Sequence, residues 1–489
     1  MREIDPSEIM PGARFQGQDL HEVNLIGMNL MGSNFSQANL RGAFLGKANL
    51  NNADLSGADL TGANLIGTRL QQANLSRTVM QDCAMQGADL TGANLTGADM
   101  RMGNGMFGAN LSGANLEFAI LRGNYMETTR LGGVSLIGAD LEDAALIQAD
   151  LSNANLQNAR LVKTDFGGSN LTGADLREAD ISGADFSMTQ MEGVLFHNTK
   201  LDESTQMDDK YHLVWELVNE GGSNRNLVKA DLEKAALSNT ILDGADLGHA
   251  NLRGAKLEHV QLVGTNFSYA DCTAADFSNS RIQQTLFEFA NLEKAILYGL
   301  DLRDCNLHFV NLRGIEYDEG TRLSPKWRQV MEFINFGCVR QNHAGIDLTQ
   351  AYLVEAKMSY AVFTGADFSE AILDKSDLWS ADLLDANFTG CRMIKTGLRW
   401  AKLNRAKFDG ANMVGASLFG AEVNEASFQN TDLTDADMEG AKLEDSDFTG
   451  ANLTRVRLVG ARITQKQLLS ARAIAGAILP DGRVIPEKG

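Results

Sequence analysis

Large apolar residues recur every five positions through most of the chain, and between residues 366 and 453 an aromatic one recurs every twenty. Phe368, Phe388, Phe408, Phe428 and Phe448 mark this longer period, with Leu, Met or Val at the five-residue positions between them. A small residue usually stands two places before each large one, and Asp or Asn often stands one place before. A period of five matches neither the two of a strand nor the 3.6 of a helix. The pattern therefore predicts a chain that closes one circuit every four five-residue steps.

Such a circuit predicts a solenoid in which residues i and i+20 lie above one another. The coils would then hydrogen-bond at the inter-strand spacing of about 4.7–4.9 Å. The large residue would point to the axis beside the small one, while the other three positions face water. Burying one Leu or Phe contributes about 1.5–3 kcal/mol, whereas ordering five residues costs about 5–10 kcal/mol. No coil is stable alone, and the five phenylalanines are expected to form one core column of the stack.

Runs such as Ala53-Asp54-Leu55 and Ala93-Asn94-Leu95 resemble the pentapeptide-repeat family. The resemblance implies a right-handed quadrilateral β-helix with four repeats in each coil. The fold class expected is thus an all-β solenoid with short capping helices and two helical interruptions.

Changes in the rhythm divide the chain into segments. Near 101–106 one extra residue interrupts the five-residue beat, so we expect a local bulge there. Asp5 would N-cap a helical turn at the start, and Thr464 with Gln467 forms a capping box near the end. The segments are an N-terminal cap over 1–12, a β-helix block over 13–201, a helical linker over 202–226, a β-helix block over 227–317, a helical linker over 318–347, a β-helix block over 348–463, and a C-terminal cap helix and tail over 464–489.

The two linkers are copies of each other at an offset of 116 residues. Val214 and Trp215 in the first correspond to Val330 and Met331 in the second, within apolar stripes of helical spacing. Each linker therefore predicts an amphipathic helix. Either these helices separate independent solenoids or they decorate one continuous rod. Separate stacks are slightly favoured because each linker coincides with a change of frame.

Composition restricts the classes of function. The net charge of −20 argues against direct binding to nucleic acid phosphates. No run of about 18 apolar residues is present, so no membrane span is expected. The five cysteines include no Cys-x-x-Cys pair, and the first residues lack the apolar core of a secretory signal. These features favour a cytoplasmic protein.

Candidate chemistry is sparse. The seven histidines form no cluster in the sequence, and the interior is expected to hold only apolar and small residues. Glycines recur at the turn position of the repeat and form no phosphate-binding loop. We therefore expect no catalytic residue, no cofactor and no metal, and hence no enzyme.

One outward group of aromatic residues stands out in the last block. Leu378 and Leu398 are one circuit apart, so the residues that follow them share a face. Clustered Trp, Tyr and Arg are typical of a protein interface. The alternative is that the neighbouring helix, with Trp327, Met331 and Ile334, folds over this face. The candidate partner-binding residues are Tyr360, Trp379, Arg399, Trp400 and Phe419.

These observations favour a non-enzymatic interaction scaffold or rod that binds another protein of unknown identity. The alternative function is a DNA mimic that binds a type II topoisomerase such as gyrase, as several pentapeptide-repeat proteins do. Residues 106–226 hold 18 acidic and 8 basic side chains, which is half of the net charge. Open coil ends would also allow end-to-end or cap-mediated self-association.

Overall fold

Parallel bridges join residues one coil apart in the regular parts of the repeat region. The structure, a computed structural model, describes residues 10–101 and 105–487, so the helical turn expected at Asp5 lies outside the described residues. The bridges join residues twenty apart, and each coil makes four of them, one at every five-residue step. The first four pairs are Arg14 with Asn34, Asp19 with Asn39, Asn24 with Phe44, and Asn29 with Asn49.

Contacts within the chain define two compact units. One unit comprises Met1–Gly222 and Leu232–Ile241, and the other comprises Ser223–Asp231 and Leu242–Gly489. In the first unit, the coils that span the extra residue are bridged at an offset of twenty-one, as in the pair Ala84 and Gly105. The offset returns to twenty from Gly105 to Tyr125. The additional residue is therefore absorbed within a single coil.

The core of each coil holds the large residue of every repeat. In the second unit the side chains of Phe368, Phe388, Phe408, Phe428 and Phe448 are buried, and their rings stack in one column with successive centroids 4.8, 5.1, 4.9 and 4.9 Å apart. Stacked aromatic pairs add about 0.5–1.5 kcal/mol beyond the area they bury.

The small residue two places earlier is also buried, and where it is Thr or Cys its side chain can donate to the coil below. The Thr431 hydroxyl donates to the carbonyl oxygen of Phe408 at 2.6 Å, and the Thr396 hydroxyl donates to that of Leu373 at 2.8 Å. The Cys391 thiol makes the same contact with Phe368. These residues therefore replace Ala with their donor paired, whereas the buried hydroxyls of Ser169 and Ser376 at the same position have no hydrogen-bond partner.

Three α-helices occur in the described residues: α1 over Asp209–Asn219, α2 over Pro325–Phe336 and α3 over Gln465–Ser470. Only α3 has a side-chain N-cap, a capping box between Thr464 and Gln467, since the side chains of Asp208 and Ser324 make no cap hydrogen bond. Among these three helices, none has the length and apolarity needed to span a membrane.

Coil-to-coil hydrogen bonds continue past both inserted helices. In the first unit the Gly193 N–H donates to the carbonyl oxygen of Lys234 at 3.0 Å, and in the second unit the Phe309 N–H donates to that of Gln350 at 2.8 Å. In each pair, the donor and the acceptor are separated in the sequence by one circuit and by the residues inserted into it. Within each unit, the helix thus leaves the coil and coil-to-coil hydrogen bonding resumes beyond it.

An asparagine at the end of each inserted helix joins the helix to the preceding coil. The Asn335 side-chain amide donates to the carbonyl oxygens of Leu312 and Met331, and its oxygen accepts from the Gly314 N–H. Asn219 makes the equivalent three bonds in the first unit. These side chains satisfy backbone groups that the interrupted coil would otherwise leave unpaired.

Candidate functional site

The candidate partner-binding residues occupy one corner of four successive coils in the second unit. Trp379, Arg399 and Phe419 each follow a buried large residue directly, whereas Tyr360 and Trp400 come one place later. Backbone hydrogen bonds fix their spacing, since the Tyr360 N–H donates to the carbonyl oxygen of Trp379 and the Trp400 N–H donates to that of Phe419. A corner of the stacked backbone therefore positions all five side chains.

The five side chains form two clusters in neighbouring coils. The rings of Tyr360 and Trp379 lie 5.0 Å apart, and those of Trp400 and Phe419 lie 5.4 Å apart in an edge-to-face arrangement. The Arg399 guanidinium carbon lies 5.1 Å from the centre of the Phe419 ring. Trp379 and Trp400 remain 44% and 54% exposed, so a large apolar area faces solvent. We call these five residues the aromatic patch.

Backbone conformation and a neighbouring glycine determine where the large rings lie at this corner. Tyr360 and Trp400 both adopt left-handed backbone conformations with φ of 58°. A Cβ atom added to Gly420 would lie 2.5 Å from Cζ3 of Trp400, so glycine leaves the space in which the indole lies. The Trp400 ring is thus held against the next coil.

Arg340 belongs to the same surface, although the sequence analysis did not select it. Its guanidinium carbon lies 5.3 Å from the centre of the Tyr360 ring. The signal was present, because Arg340 precedes Tyr360 by one period of twenty. It was obscured because Arg340 belongs to the segment assigned to the second linker, where the five-residue beat is lost.

Helix α2 packs away from the aromatic patch. Its Trp327 contacts His308, with ring centroids 5.8 Å apart, and its Phe333 contacts His343 and Phe363. Those contacts bury the apolar stripe of α2, and Tyr360 keeps 39% of its surface exposed. The alternative that α2 covers the patch is therefore wrong.

The patch carries positive charge on an acidic chain. Nearby basic side chains are paired, as in the 2.7 Å ion pair between Arg405 and Asp385, which holds the pKa of that carboxyl below its usual value. Among the ion pairs of the described residues, none involves Arg340 or Arg399. Both guanidinium groups instead lie over aromatic rings.

The described residues contain no group of three His, Cys, Asp or Glu side chains arranged to hold a metal ion. A shallow polar groove lies beside α2, lined by Tyr317, Asp318, Arg328 and Glu332 among others. The aromatic patch remains the site with the clearest chemistry, which is that of an interface.

Comparison with known proteins agrees with the five-residue rhythm. A family profile described as Pentapeptide repeats matches residues 9–37, 33–77, 63–101, 109–144, 129–168, 159–198, 230–268, 270–308, 341–370 and 361–399, and one described as a Pentapeptide repeat region matches residues 381–468. The chain belongs to the pentapeptide-repeat family. The resemblance seen in the repeated triplets is thereby confirmed.

Several solved pentapeptide-repeat structures are similar to parts of the chain. HetL, a protein involved in heterocyst differentiation regulation in the cyanobacterium Nostoc sp. strain PCC 7120, is 29% identical, covers 56% of this chain and 86% of its own, and has a TM-score of 0.17. Rfr23 from the cyanobacterium Cyanothece 51142 is 28% identical, covers 30% of this chain and 91% of its own, and has a TM-score of 0.12.

QnrB1, a plasmid-mediated fluoroquinolone resistance protein, in a trypsin-treated form is 21% identical, covers 40% of this chain and 91% of its own, and has a TM-score of 0.29. These scores give no basis for transferring a function from one protein to another. The search of curated proteins found no match.

Proposed function

We propose that this pentapeptide-repeat protein is a non-enzymatic scaffold that binds another protein through the aromatic patch. We include in the proposal the right-handed quadrilateral winding that the family implies. The observation that supports binding of a protein partner is the exposure of Trp379 and Trp400, at 44% and 54%, on a backbone held by coil-to-coil hydrogen bonds. Clustered exposed Trp, Tyr and Arg are the side chains that most often dominate protein interfaces.

The chemistry of the patch favours a partner with an apolar anchor flanked by carboxylates. The guanidinium groups of Arg340 and Arg399 lie over aromatic rings, and a guanidinium keeps N–H donors that can bind a carboxylate in this position. A carboxylate can therefore bind at the edge while an apolar side chain covers the indoles. Because the rings are already in place, little side-chain entropy is lost on binding.

Substitution of the two tryptophans tests the proposal. Trp379→Ser with Trp400→Asn removes both indoles, and Asn is tolerated in the left-handed conformation that Trp400 adopts. We expect a protein captured from the native host by the wild type to bind this variant at least about 30-fold more weakly, as for loss of one hot-spot side chain. Quantitative mass spectrometry of the captured proteins, followed by calorimetry with the purified partner, measures this.

The matched control is Phe118→Asn, which removes a 63% exposed ring from the same type of turn in the first unit. It should capture the same proteins as the wild type. An identical set of captured proteins from the double variant would refute the proposal. A large fall in its melting temperature would instead indicate that the indoles serve stability.

A topoisomerase-binding DNA mimic is the second candidate, and the acidic segment 106–226 favours it. Part of that charge is neutralised locally, because Arg160 pairs with Glu142 at 2.7 Å and Arg177 with Asp175 at 2.6 Å. A gyrase supercoiling assay decides the question. Absence of inhibition or protection at micromolar protein removes this candidate.

We place the protein in the cytoplasm as part of the same proposal. All five cysteines are buried thiols that form no disulfide in the described residues, and burial raises the pKa of Cys83 to about 12. Thiols of this kind behave as small apolar side chains. A reducing compartment suits a chain that carries five of them.

A further inference from the structure

A second column of aromatic side chains lies on the outside of the second unit. His249, Tyr269, Phe289 and Phe309 stand one coil apart, and their rings stack with centroids 4.8, 4.8 and 4.3 Å apart and interplanar angles of 8° to 9°. Tyr269 is 52% exposed and Phe289 is 36% exposed. The stacked rings turn their edges to solvent as one continuous apolar strip.

Turn chemistry does not explain these four residues. All four occupy left-handed positions with φ between 58° and 61°, where bulky side chains are uncommon and strained. The chain fills most equivalent positions with Gly, Asn, Lys or another polar residue. An aromatic residue in four successive coils is therefore a departure from the repeat at a cost in backbone energy.

The column extends beyond the aromatic residues at both ends. Backbone hydrogen bonds continue it from Lys229 at one end to Gln350 and Glu370 at the other, past helix α2. Each of these residues, which form the rungs of the column, donates its N–H to the residue just before the next rung. At α2 the hydrogen bonding is displaced by one residue, because Phe309 donates to the carbonyl oxygen of Gln350 itself. The Gln350 side chain also donates to the Glu370 carboxylate at 2.7 Å. In order, the seven rungs are Lys229, His249, Tyr269, Phe289, Phe309, Gln350 and Glu370, which we call the outer column.

The outer column is complementary to itself when it is reversed about Phe289. Lys229 then faces Glu370, His249 faces Gln350, and Tyr269 faces Phe309. We propose that the outer column is an interface between two copies of this chain, packed side by side and antiparallel about a two-fold axis through Phe289. In a two-fold interface the same surface of both partners meets, so a self-complementary surface is what it requires.

The spacing of the rungs also favours a second copy as the occupant. Both partners rise by the inter-strand spacing of about 4.7–4.9 Å in each coil, so every rung meets a rung along the whole strip. An extended peptide, which rises about 3.3 Å per residue, would lose register within a few rungs. A parallel pair of copies would place Lys229 against Lys229 and Glu370 against Glu370, which like-charge repulsion disfavours.

The size of the strip indicates a weak, reversible association. Seven rungs span about 29 Å at the inter-strand spacing. One corner of this length buries less than the roughly 800 Å² per partner of a typical stable complex. We therefore expect a dimer with a dissociation constant in the micromolar range.

Removal of the rings tests the proposal directly. Tyr269→Asn, Phe289→Asn and Phe309→Asn are combined, because Asn adopts the left-handed conformation readily. Sedimentation velocity of the full chain from about 1 to 300 μM, spanning micromolar affinity, should show a concentration-dependent dimer for the wild type and at least a tenfold weaker one for this variant.

The control for ring removal carries Tyr360→Asn and Trp400→Asn, which make the same change at left-handed positions of the aromatic patch. That corner lies half a circuit away, since Gln350 and Tyr360 are ten residues apart. The control should dimerise as the wild type does, whether or not the aromatic patch binds a partner.

Charge reversal tests the antiparallel register without removing any ring. Lys229→Glu places two carboxylates together at each end and should weaken the dimer several-fold at low salt. Adding Glu370→Lys restores the opposite charges and should restore the affinity, and both effects should diminish as salt is added. A parallel dimer would show no such rescue.

Three results would overturn the proposal. They are a wild type that stays monomeric at all these concentrations, a ring-removal variant that dimerises as the wild type does, and a charge reversal without rescue. If the ring-removal variant only melts at a lower temperature with unchanged association, the outer column serves to stabilise the stack and is not an interface.

Discussion

The Asp or Asn before each large residue is a structural residue of the coil. From the sequence alone, these side chains are expected at positions that face water. In the structure their oxygens accept hydrogen bonds from the N–H two residues later, as Asp447 does from Thr449 at 2.9 Å and Asn170 from Thr172 at 3.0 Å. This local bond fixes the turn that follows the buried residue.

Asp447 also shows how these bonds depend on ionisation. The Thr449 hydroxyl, the Thr449 N–H and the Gln429 amide all donate to this carboxylate, and together they hold its pKa below the usual value. The hydroxyl makes the largest contribution. The carboxylate form is therefore the one that the folded coil stabilises.

Acidification should weaken the coil around Asp447. Because its folded pKa is lowered, the stabilisation is fully present above the unfolded pKa of about 3.9 and is lost as the pH falls through the lower folded value. Asp447→Asn keeps an acceptor for Thr449 but does not titrate. We expect the urea midpoint of the wild type to exceed that of the variant at pH 7, and the difference to shrink by pH 3.

The matched control for this pH series is Thr449→Val, which keeps the Asp447 carboxylate but removes the hydroxyl that contributes most to lowering its pKa. The stability of this variant should fall less between pH 7 and pH 3 than that of the wild type. A constant difference between wild type and Asp447→Asn from pH 7 to pH 3 would contradict the account.

At the scale of elements, the inserted helices are compatible with stacking because an asparagine replaces the missing coil contacts. Asn335 satisfies the carbonyl oxygens of Leu312 and Met331 and the N–H of Gly314 at once. No residue of the regular repeat could do this, since the chain leaves the coil here. The helix is thus anchored at its C-terminal end to the last regular coil.

Loss of the Asn335 side chain should loosen α2 without unfolding the unit. Asn335→Ala removes the partner of the exposed Gly314 N–H and of the partly buried Leu312 carbonyl, at a net cost of about 0.5–1.5 kcal/mol per hydrogen bond. We expect faster hydrogen exchange at the Gly314 amide and in α2, with unchanged exchange in the coils of the phenylalanine column. Native-state hydrogen exchange measured by mass spectrometry checks this.

Asn335→Asp separates the two functions of the amide. It keeps the acceptor for Gly314 but removes the donors to Leu312 and Met331, so protection of Gly314 should persist while α2 exchanges faster. Equal protection of α2 in the wild type and Asn335→Ala would show that apolar packing alone holds the helix.

At the scale of the whole molecule, the structure could be predicted from the sequence wherever the five-residue repeat continued without interruption. The column from Phe368 to Phe448 and the capping box at Thr464 follow from local spacing. The continuation of stacking from Phe309 to Gln350 did not, because it depends on how far a helix is displaced from the coil. Arg340 was missed because it lies in the segment assigned to the second linker. The aromatic residues of the outer column are twenty apart, but they occupy the turn position and not the large-residue position, and Gln350 and Glu370 join them only when the coils are aligned across α2.

The charge of the chain is the remaining property that belongs to the whole molecule. With a net charge of −20, the acidic side chains of the protein repel one another, and the segment 106–226 carries half of this charge. Many carboxylates there have a neighbour that offsets this, as Asn170 does when it donates to Asp150 in the coil below at 3.2 Å. Asp165 and Asp185 form the same parallel backbone bridge as Asp150 and Asn170, but here both side chains are carboxylates.

Conversion of the Asp165–Asp185 pair into an amide–carboxylate pair should stabilise the protein. Asp185→Asn removes one charge, keeps an acceptor for the Ser187 N–H and supplies a donor to Asp165, as Asn170 does for Asp150. We expect a gain of about 0.5–1.5 kcal/mol, larger at low salt, because an added salt shields the repulsion in the wild type. Thermal unfolding at low and at moderate salt measures both effects.

Asp185→Ala serves as the control that removes the charge together with the acceptor for the Ser187 N–H, and it should be less stable than Asp185→Asn at both salt concentrations. A loss of stability in Asp185→Asn at low salt would mean that Asp185 has a favourable contact that outweighs its repulsion from Asp165.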